Sequence, residues 1–210
     1  MEKPVMNAPA GEEFTKQLPT EGMVNAKCYA VIDKGSQENE RKGVKKMQRQ
    51  IQLSFETDQM WEFGDRGTLP LTIHKNYSFF ITDNSNLQKD LTSRLGKPQT
   101  SKFNIFDLVG MTAELMILYN VSKNGKTYPK IMAVKPWKKD WDLINPTVMF
   151  TLDAFNEDEF LKIPERLRAD IQKSPEYNKA LWIDQDEKPE EETIKEKVIT
   201  KEEETDNLPF

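Results

Sequence analysis

The sequence predicts a mainly β protein in which one helix interrupts a series of five strands. Three observations support this prediction. Apolar and polar side chains alternate with the period of a half-buried strand in several segments between residues 23 and 135. One segment among them has the 3.6-residue period of a helix instead. The dipeptide Asn124–Gly125 separates the last two alternating segments, and it is a strong hairpin signal because both residues tolerate a positive φ.

The first strand is predicted at residues 23–33. Its apolar face comprises Val24, Ala26, Cys28, Ala30 and Ile32. We expect Cys28 to be a small buried side chain rather than a reactive thiol, because no base stands beside it in the sequence. A polar loop over residues 34–44 then leads to the second strand.

The second strand is predicted at residues 45–56. One face comprises Met47, Ile51, Leu53 and Phe55, and the other comprises Gln48, Gln50, Gln52 and Ser54. This second face is polar but uncharged, so its donors and acceptors suit sugars and base edges of any sequence. The third strand is predicted at residues 71–81, after a segment, 57–69, that we interpret as a loop or short hairpin.

A helix is predicted after the third strand. Asp83 or Ser85 can cap its first turn, Gly96 ends it, and its apolar face comprises Leu87, Leu91 and Leu95. Strands at residues 112–122 and 127–135 complete the series. Three strands, a helix and two strands is the order of the OB fold, a small five-stranded barrel with its helix between strands 3 and 4.

The chain is predicted to contain one folded body with attachments. We expect residues 1–19 to form a flexible N-terminal arm and residues 20–150 to form the OB-fold domain. Residues 151–183 form a C-terminal helical extension, broken at Pro164, that packs on the barrel. Residues 184–210 have too little apolar area to fold alone, so we expect a disordered acidic tail.

Composition excludes several classes of protein. One cysteine and one histidine in 210 residues do not supply a disulfide framework or a Cys/His zinc cage. The loops and motifs of phosphate-binding, acyl-transfer and zinc-hydrolase sites are also missing, so we expect no enzyme, no cofactor and no metal. No run of about 18 apolar residues and no signal peptide occur, which predicts a cytoplasmic protein that does not span a membrane.

Charge divides the chain into two parts. The tail from residue 184 to 210 holds eleven acidic residues and four lysines, a net charge of −7, whereas residues 1–183 carry +2. Residues 20–150 alone carry +5. A mildly basic body with an acidic tail favours binding to a nucleic acid, since cations can follow a phosphate backbone.

Candidate DNA-binding residues lie in the two loops that flank the binding face of an OB fold, and on nearby strands. Cations hold phosphates and flat rings stack on bases. The predicted cations are Lys27, Arg41, Lys42, Lys45, Lys46, Arg49, Lys123, Lys126 and Lys130. The predicted rings are Tyr29, Tyr77, Tyr128 and Trp137.

The end of the tail is predicted to bind a partner protein. It combines acidic residues with an apolar Pro-Phe that carries the terminal carboxylate, so a partner could accept the ring in a pocket and pair the carboxylate with a cation. The residues predicted to make these contacts are Asp206, Leu208, Pro209 and Phe210.

The sequence resembles two related families. Asp206–Asn207–Leu208–Pro209–Phe210 is similar to the acidic tip of bacterial single-stranded-DNA-binding proteins, with Asn207 where a second acid usually stands. The body resembles phage-encoded single-stranded-DNA-binding proteins in residues 21–35, 85–98, 108–110, 122–135 and 174–177. This resemblance implies an OB fold that coats single strands in phage DNA replication or recombination, in the host cytoplasm, and recruits replication or recombination proteins through its tail.

Two other functions remain open at this stage. A single-strand annealing recombination protein would share the basic face and would assemble into rings or filaments. A structural or host-interaction protein would have no DNA affinity, its acidic tail serving only to keep it in solution. The protein is also a possible homo-oligomer.

Overall fold

The computed structural model of the protein describes residues 17–41, 43–64 and 67–186. Most of the predicted N-terminal arm and all of the predicted partner-binding residues, Asp206, Leu208, Pro209 and Phe210, lie outside the described residues. So do Lys42 and the side chain of Arg41.

The structure is mainly β, as predicted. The strands are β1 (Gly22–Arg41), β2 (Val44–Glu62), β3 (Thr68–Ser78), β4 (Thr112–Val121), β5 (Thr127–Pro136) and β6 (Val148–Phe150). The helices are α1 (Asn86–Leu95), a 3-10 helix (Ile105–Leu108), α2 (Glu157–Leu161), α3 (Glu165–Ile171) and α4 (Pro175–Asp186). The strands form one sheet in the order β3-β2-β1-β4-β5, and the short β6 pairs in parallel with β1.

The sheet is open between β3 and β5. No hydrogen-bonded ladder joins these two strands in the part of the chain that the structure describes. They nevertheless contact each other, and α1 packs against both. Side chains of all five long strands, α1 and the 3-10 helix therefore enclose one main core. Its buried members include Ile51, Phe55, Ile73, Leu87, Leu91, Leu115, Ile117, Ile131 and Val134.

Helix α1 confirms the prediction from its sequence. The Ser85 side chain accepts a hydrogen bond from Gln88 N, and Gly96 ends the helix in the left-handed conformation at φ 73°. The predicted break at Pro164 is also found, since α2 ends before it and α3 begins after it. None of the described helices is long and apolar enough to cross a membrane.

Strand β1 contributes to two different cores because a β-bulge interrupts it at Tyr29. Cys28 pairs with Phe55 and Ala30 with Ser54, so one residue of β1 is left over. The predicted single apolar face is therefore wrong beyond Cys28, which is fully buried with its thiol pKa raised to about 11 by burial. Ala30 and Ile32 point into a second core with Val148, Phe150, Leu152, Phe160, Ile163 and Ile171.

The predicted loop over residues 34–44 is instead the end of a long β-hairpin formed by β1 and β2. We call this end, residues 35–41 and 43–50, the arm; it is distinct from the predicted N-terminal arm of residues 1–19. After a second register shift between Asp33 and Gly35, β1 and β2 pair without interruption to Arg41 and Val44. In contrast, β3 reaches only as far as Gln50. The arm therefore extends beyond the edge of β3. The segment 57–69, predicted to be a loop or short hairpin, is the turn end of the β2–β3 hairpin, where Trp61 pairs with Leu69. β2 continues to Glu62 and β3 begins at Thr68, so both strands are longer here than predicted.

A buried carboxylate, Asp33, fixes the base of the arm. It is 4% exposed and accepts hydrogen bonds from Arg49 Nε at 3.2 Å and Arg49 Nη2 at 2.5 Å. It also accepts from the backbone N–H groups of Gly35 at 2.9 Å and Leu152 at 3.1 Å. One side chain thus joins β1, β2 and the segment that follows β6.

The C-terminal helices dock against the arm through a close backbone approach. A Cβ atom at Gly35 would lie 2.3 Å from Ser174 Oγ, so only glycine leaves room for this corner of the chain. Next to it, Glu176 accepts hydrogen bonds from Ser36 N at 2.8 Å and Ser36 Oγ at 2.5 Å. The extension is therefore attached to β1 by apolar packing and by these polar contacts.

Gly35→Ala is expected to destabilise the protein much more than Gly43→Ala. Both glycines have a positive φ, 67° and 77°, but a Cβ atom at Gly43 meets nothing within 4 Å. We expect losses in the free energy of unfolding of roughly 2–4 kcal/mol for Gly35→Ala and about 1–2 kcal/mol for the control. Urea denaturation measures both, and equal losses would contradict the close packing described for Ser174.

Candidate nucleic-acid interface

A large groove runs between the arm and the beginning of α1. Its volume is about 990 Å³. One wall is formed by the arm, the floor by the end of β3, and the other wall by residues 80–89. The lining residues are Asn39, Val44, Lys46, Gln48, Gln50, Asn76, Tyr77, Ser78, Phe80, Thr82, Asn84, Ser85, Asn86, Leu87 and Lys89.

The lining is cationic and rich in amides. Lys46 stands on the arm and Lys89 on the first turns of α1, and no aspartate or glutamate lines the groove among the residues that the structure describes. Amide side chains occupy six lining positions, and each offers both donors and an acceptor. Such a surface attracts an anionic polymer and can hydrogen-bond to its polar groups without demanding one fixed pattern.

Two of these amides are held in place by hydrogen bonds to neighbours. Gln48 Oε1 accepts hydrogen bonds from Ser78 Oγ at 3.2 Å and from Asn39 Nδ2 at 3.4 Å. Asn39 also pairs with Lys46 across the arm, which sets the two side chains beside each other on the groove wall. The strand register therefore determines which side chains of the arm enter the groove.

Two aromatic rings follow β3 at the end of the groove. Phe80 lines the groove and is 45% exposed. Phe79 is also exposed, and its ring lies 5.9 Å from the Arg49 guanidinium. Phe80 is therefore the ring that is open to a flat ligand in the groove.

The predicted cations of the arm have different environments. Lys46 lines the groove, whereas Lys45 forms an ion pair with Glu38 at 2.8 Å. Arg49 binds Asp33 at 2.5 Å and Asp153 at 2.8 Å, and its hydrogen bonds to Asp33 raise its pKa above the usual value. Arg49 is thus a structural cation that holds the base of the arm.

Two residues that were predicted to contact DNA are buried and bonded to other residues of the protein. Tyr77 is 3% exposed, and its hydroxyl donates to Asp90 at 2.7 Å, so its ring is not available for stacking. Burial and the Asp90 carboxylate raise the pKa of this hydroxyl well above its usual value. Lys27 is buried as well, with its ammonium 2.7 Å from Asp140 and bonded to the Trp141 carbonyl.

Tyr29 is half-buried and packs against the second core. Burial raises the pKa of its hydroxyl, and hydrogen bonds with Ser54 and Thr72 oppose that shift. Because Tyr29 lies on the bulge and packs against the second core, it helps to hold the C-terminal helices on β1. It does not line the groove.

The predicted residues of the β4–β5 hairpin are exposed but do not line the groove. These residues are Lys123, Lys126, Tyr128 and Lys130. The Asn-Gly hairpin itself is confirmed, with Gly125 at φ 74°. β4 pairs with the first part of β1, from Gly22 to Lys27, and the tip of the β4–β5 hairpin lies beyond Gly22. The arm is at the opposite end of β1. Trp137 is half-buried and lines a different pocket.

Sequence reasoning missed Lys89, Phe80 and the amides that precede α1. The sequence indicates a helix cap within residues 82–86. It does not indicate that these residues lie opposite the arm, because that position depends on tertiary structure. No protein-family model matches the sequence, and no curated protein matches it either.

Arg49→Ala is expected to lower stability, whereas Lys46→Ala is not. The first change leaves the Asp33 carboxylate buried without its cation, which we expect to cost about 3–5 kcal/mol of unfolding free energy. The exposed Lys46 should change it by roughly 0.5 kcal/mol or less. Denaturant unfolding of both variants measures the difference. Similar stabilities would show that Arg49 is free to act as a ligand-binding cation.

Proposed function

We propose that the protein binds single-stranded DNA without strong sequence preference, with the strand lying in the groove between the arm and α1. The observation that supports this proposal most directly is the lining of the groove. It combines two lysines, an open phenylalanine ring and many amides, and none of the described lining residues is acidic. Cations for phosphates and a ring for bases are the two requirements of a site that tolerates any sequence.

The amides favour a single strand over a duplex. Bases in a duplex are paired and stacked, whereas an unpaired strand can present its base edges and faces to the protein. Amide groups both donate and accept, so the same side chains can serve different bases.

The arrangement of strands also supports the proposal. The order β3-β2-β1-β4-β5, with α1 between β3 and β4, is the order expected of an OB fold. The main core is enclosed by all five long strands and α1. We propose that the sheet is an OB-fold barrel whose β3–β5 gap is filled by α1.

The biological role that we propose follows from the sequence resemblance. A non-enzymatic protein of this kind would coat single-stranded DNA in phage replication or recombination, with Asp206, Leu208, Pro209 and Phe210 recruiting partner proteins. Self-association into a homo-oligomer stays a prediction.

The lysines of the groove are expected to control DNA affinity. The double variant Lys46→Gln/Lys89→Gln should bind a single-stranded oligonucleotide more weakly than the wild type and with a flatter salt dependence. The slope of log K against log salt should become shallower by roughly 0.7 for each phosphate that the protein no longer neutralises. Fluorescence anisotropy at several salt concentrations measures both quantities.

The matched control is Lys123→Gln/Lys126→Gln on the β4–β5 hairpin, which removes the same charge outside the groove. We expect this control to keep nearly the wild-type slope. A control that loses as much affinity as the groove variant would move the binding face to the hairpin. No binding of single-stranded DNA by the wild type would refute the proposed function.

Phe80→Ala is expected to weaken binding because it removes a ring on which a base can stack. A stacked base contributes about 1–3 kcal/mol, so affinity should fall roughly five- to 150-fold, with little change in the salt slope. Tyr128→Ala removes a similarly exposed ring from the hairpin and should leave affinity unchanged. Anisotropy titrations with the same oligonucleotide test the pair, and the reverse order of effects would contradict the groove as the binding face.

A further inference from the structure

A second pocket lies at the opposite end of α1 from the groove. Arg94 stands in the last turn of this helix, whereas Lys89 and the groove residues are at its first turns. The pocket has a volume of about 280 Å³, which is close to the lower end of the range for small-molecule sites. It is lined by Arg94, Gly110, Met111, Thr112, Pro136, Trp137, Lys138 and Asp140.

Arg94 is a buried cation with no acidic partner among the described residues. It is 6% exposed, and its Nη2 donates to the carbonyl oxygens of Met111 and Thr112. No carboxylate lies within ion-pair distance of it among the residues that the structure describes, and its buried Nε has no acceptor. Burial lowers the pKa of its guanidinium. A buried charge of this kind is costly unless an opposite charge accompanies it.

The rest of the pocket wall adds a ring and a second cation. The indole Nε1 of Trp137 is a buried donor that also has no acceptor. The Trp137 carbonyl accepts from Thr112 Oγ1 at 2.7 Å, which attaches this segment to β4. Lys138 is exposed at the rim, and the nearby Asp140 carboxylate is bound to Lys27 at 2.7 Å. The pocket therefore has two cations that no acidic side chain of the described chain neutralises.

We propose that this pocket binds a phosphate monoester on a nucleoside, with the phosphate paired to Arg94 and Lys138 and the base against the Trp137 ring. A monoester carries a charge of about −1.5 to −2 at pH 7, which matches two cations better than the single charge of a phosphodiester. Arginine and lysine are the usual partners of such groups. The ligand is either a free nucleoside monophosphate or the 5′-phosphate at the end of a strand.

Calorimetric titration of the full chain with thymidine 5′-monophosphate, thymidine and inorganic phosphate tests the chemistry. We expect the monophosphate to bind at least tenfold more tightly than either thymidine or phosphate alone. Its affinity should fall as the pH drops below about 6, where the phosphate takes up its second proton. Absence of binding by the monophosphate, or equal binding by thymidine, would overturn the proposal.

Reversing the charge of a lysine at the pocket rim tests whether the monophosphate binds in this pocket. Lys138→Glu should weaken binding of the monophosphate at least tenfold, and Lys139→Glu, the adjacent exposed lysine that does not line the pocket, should change it less than threefold. Both residues are exposed, so both variants should fold, which circular dichroism can verify. Equal effects of the two changes would refute a site at this pocket.

A pair of oligonucleotides separates the two sources of the ligand. If the strand end is the ligand, a 5′-phosphorylated 12-mer should bind more tightly than the same strand with a 5′-hydroxyl, and Lys138→Glu should remove the difference. If the two strands bind equally while the free monophosphate binds, the ligand is the free nucleotide. Lys46→Gln/Lys89→Gln should leave monophosphate binding intact, so failure of the groove and failure of this pocket are distinguishable.

Discussion

The buried ion pair between Asp33 and Arg49 is the interaction on which the working parts of this structure depend. It lies where β1 and β2 leave the main core to form the arm. The same carboxylate binds the Leu152 N–H group at the start of the C-terminal extension. Removing Arg49 would leave the buried Asp33 carboxylate without its cation, so the arm and the extension are coupled through the Asp33 side chain.

The bulge at Tyr29 has a complementary role because it lets one strand serve two cores. Before the bulge, Val24, Ala26 and Cys28 face the core shared with α1. After it, Ala30 and Ile32 face the C-terminal helices. The extension therefore packs on β1 through residues that the main core does not use. Without the bulge, strict alternation would have placed Ala30 and Ile32 on the face of β1 that the main core already occupies.

The sequence was most informative where structure is determined locally. Ser85, the spaced leucines and Gly96 predicted α1 because caps and periodicity act within a few residues, and Asn124–Gly125 predicted its hairpin for the same reason. The arm was missed because its residues are polar on both faces, so strand pairing leaves no alternation to detect. Arg49 was expected in the binding site because nothing in the sequence shows that Asp33, sixteen residues earlier, is its partner. Phe80 and Lys89 gain their candidate role only because the fold places the residues after β3 and the first turns of α1 across the groove from the arm.

The continuous pairing of the arm has a consequence for how its length can vary. Successive side chains of a strand point to opposite faces, so a shift of one residue between the core and the tip would exchange Lys45 with Lys46 and turn the amides away from the groove. Insertions or deletions of two residues in each strand would preserve the facing side chains and alter only the reach of the arm. Homologous chains with arms of different lengths should therefore differ in steps of two residues per strand, with the groove chemistry retained.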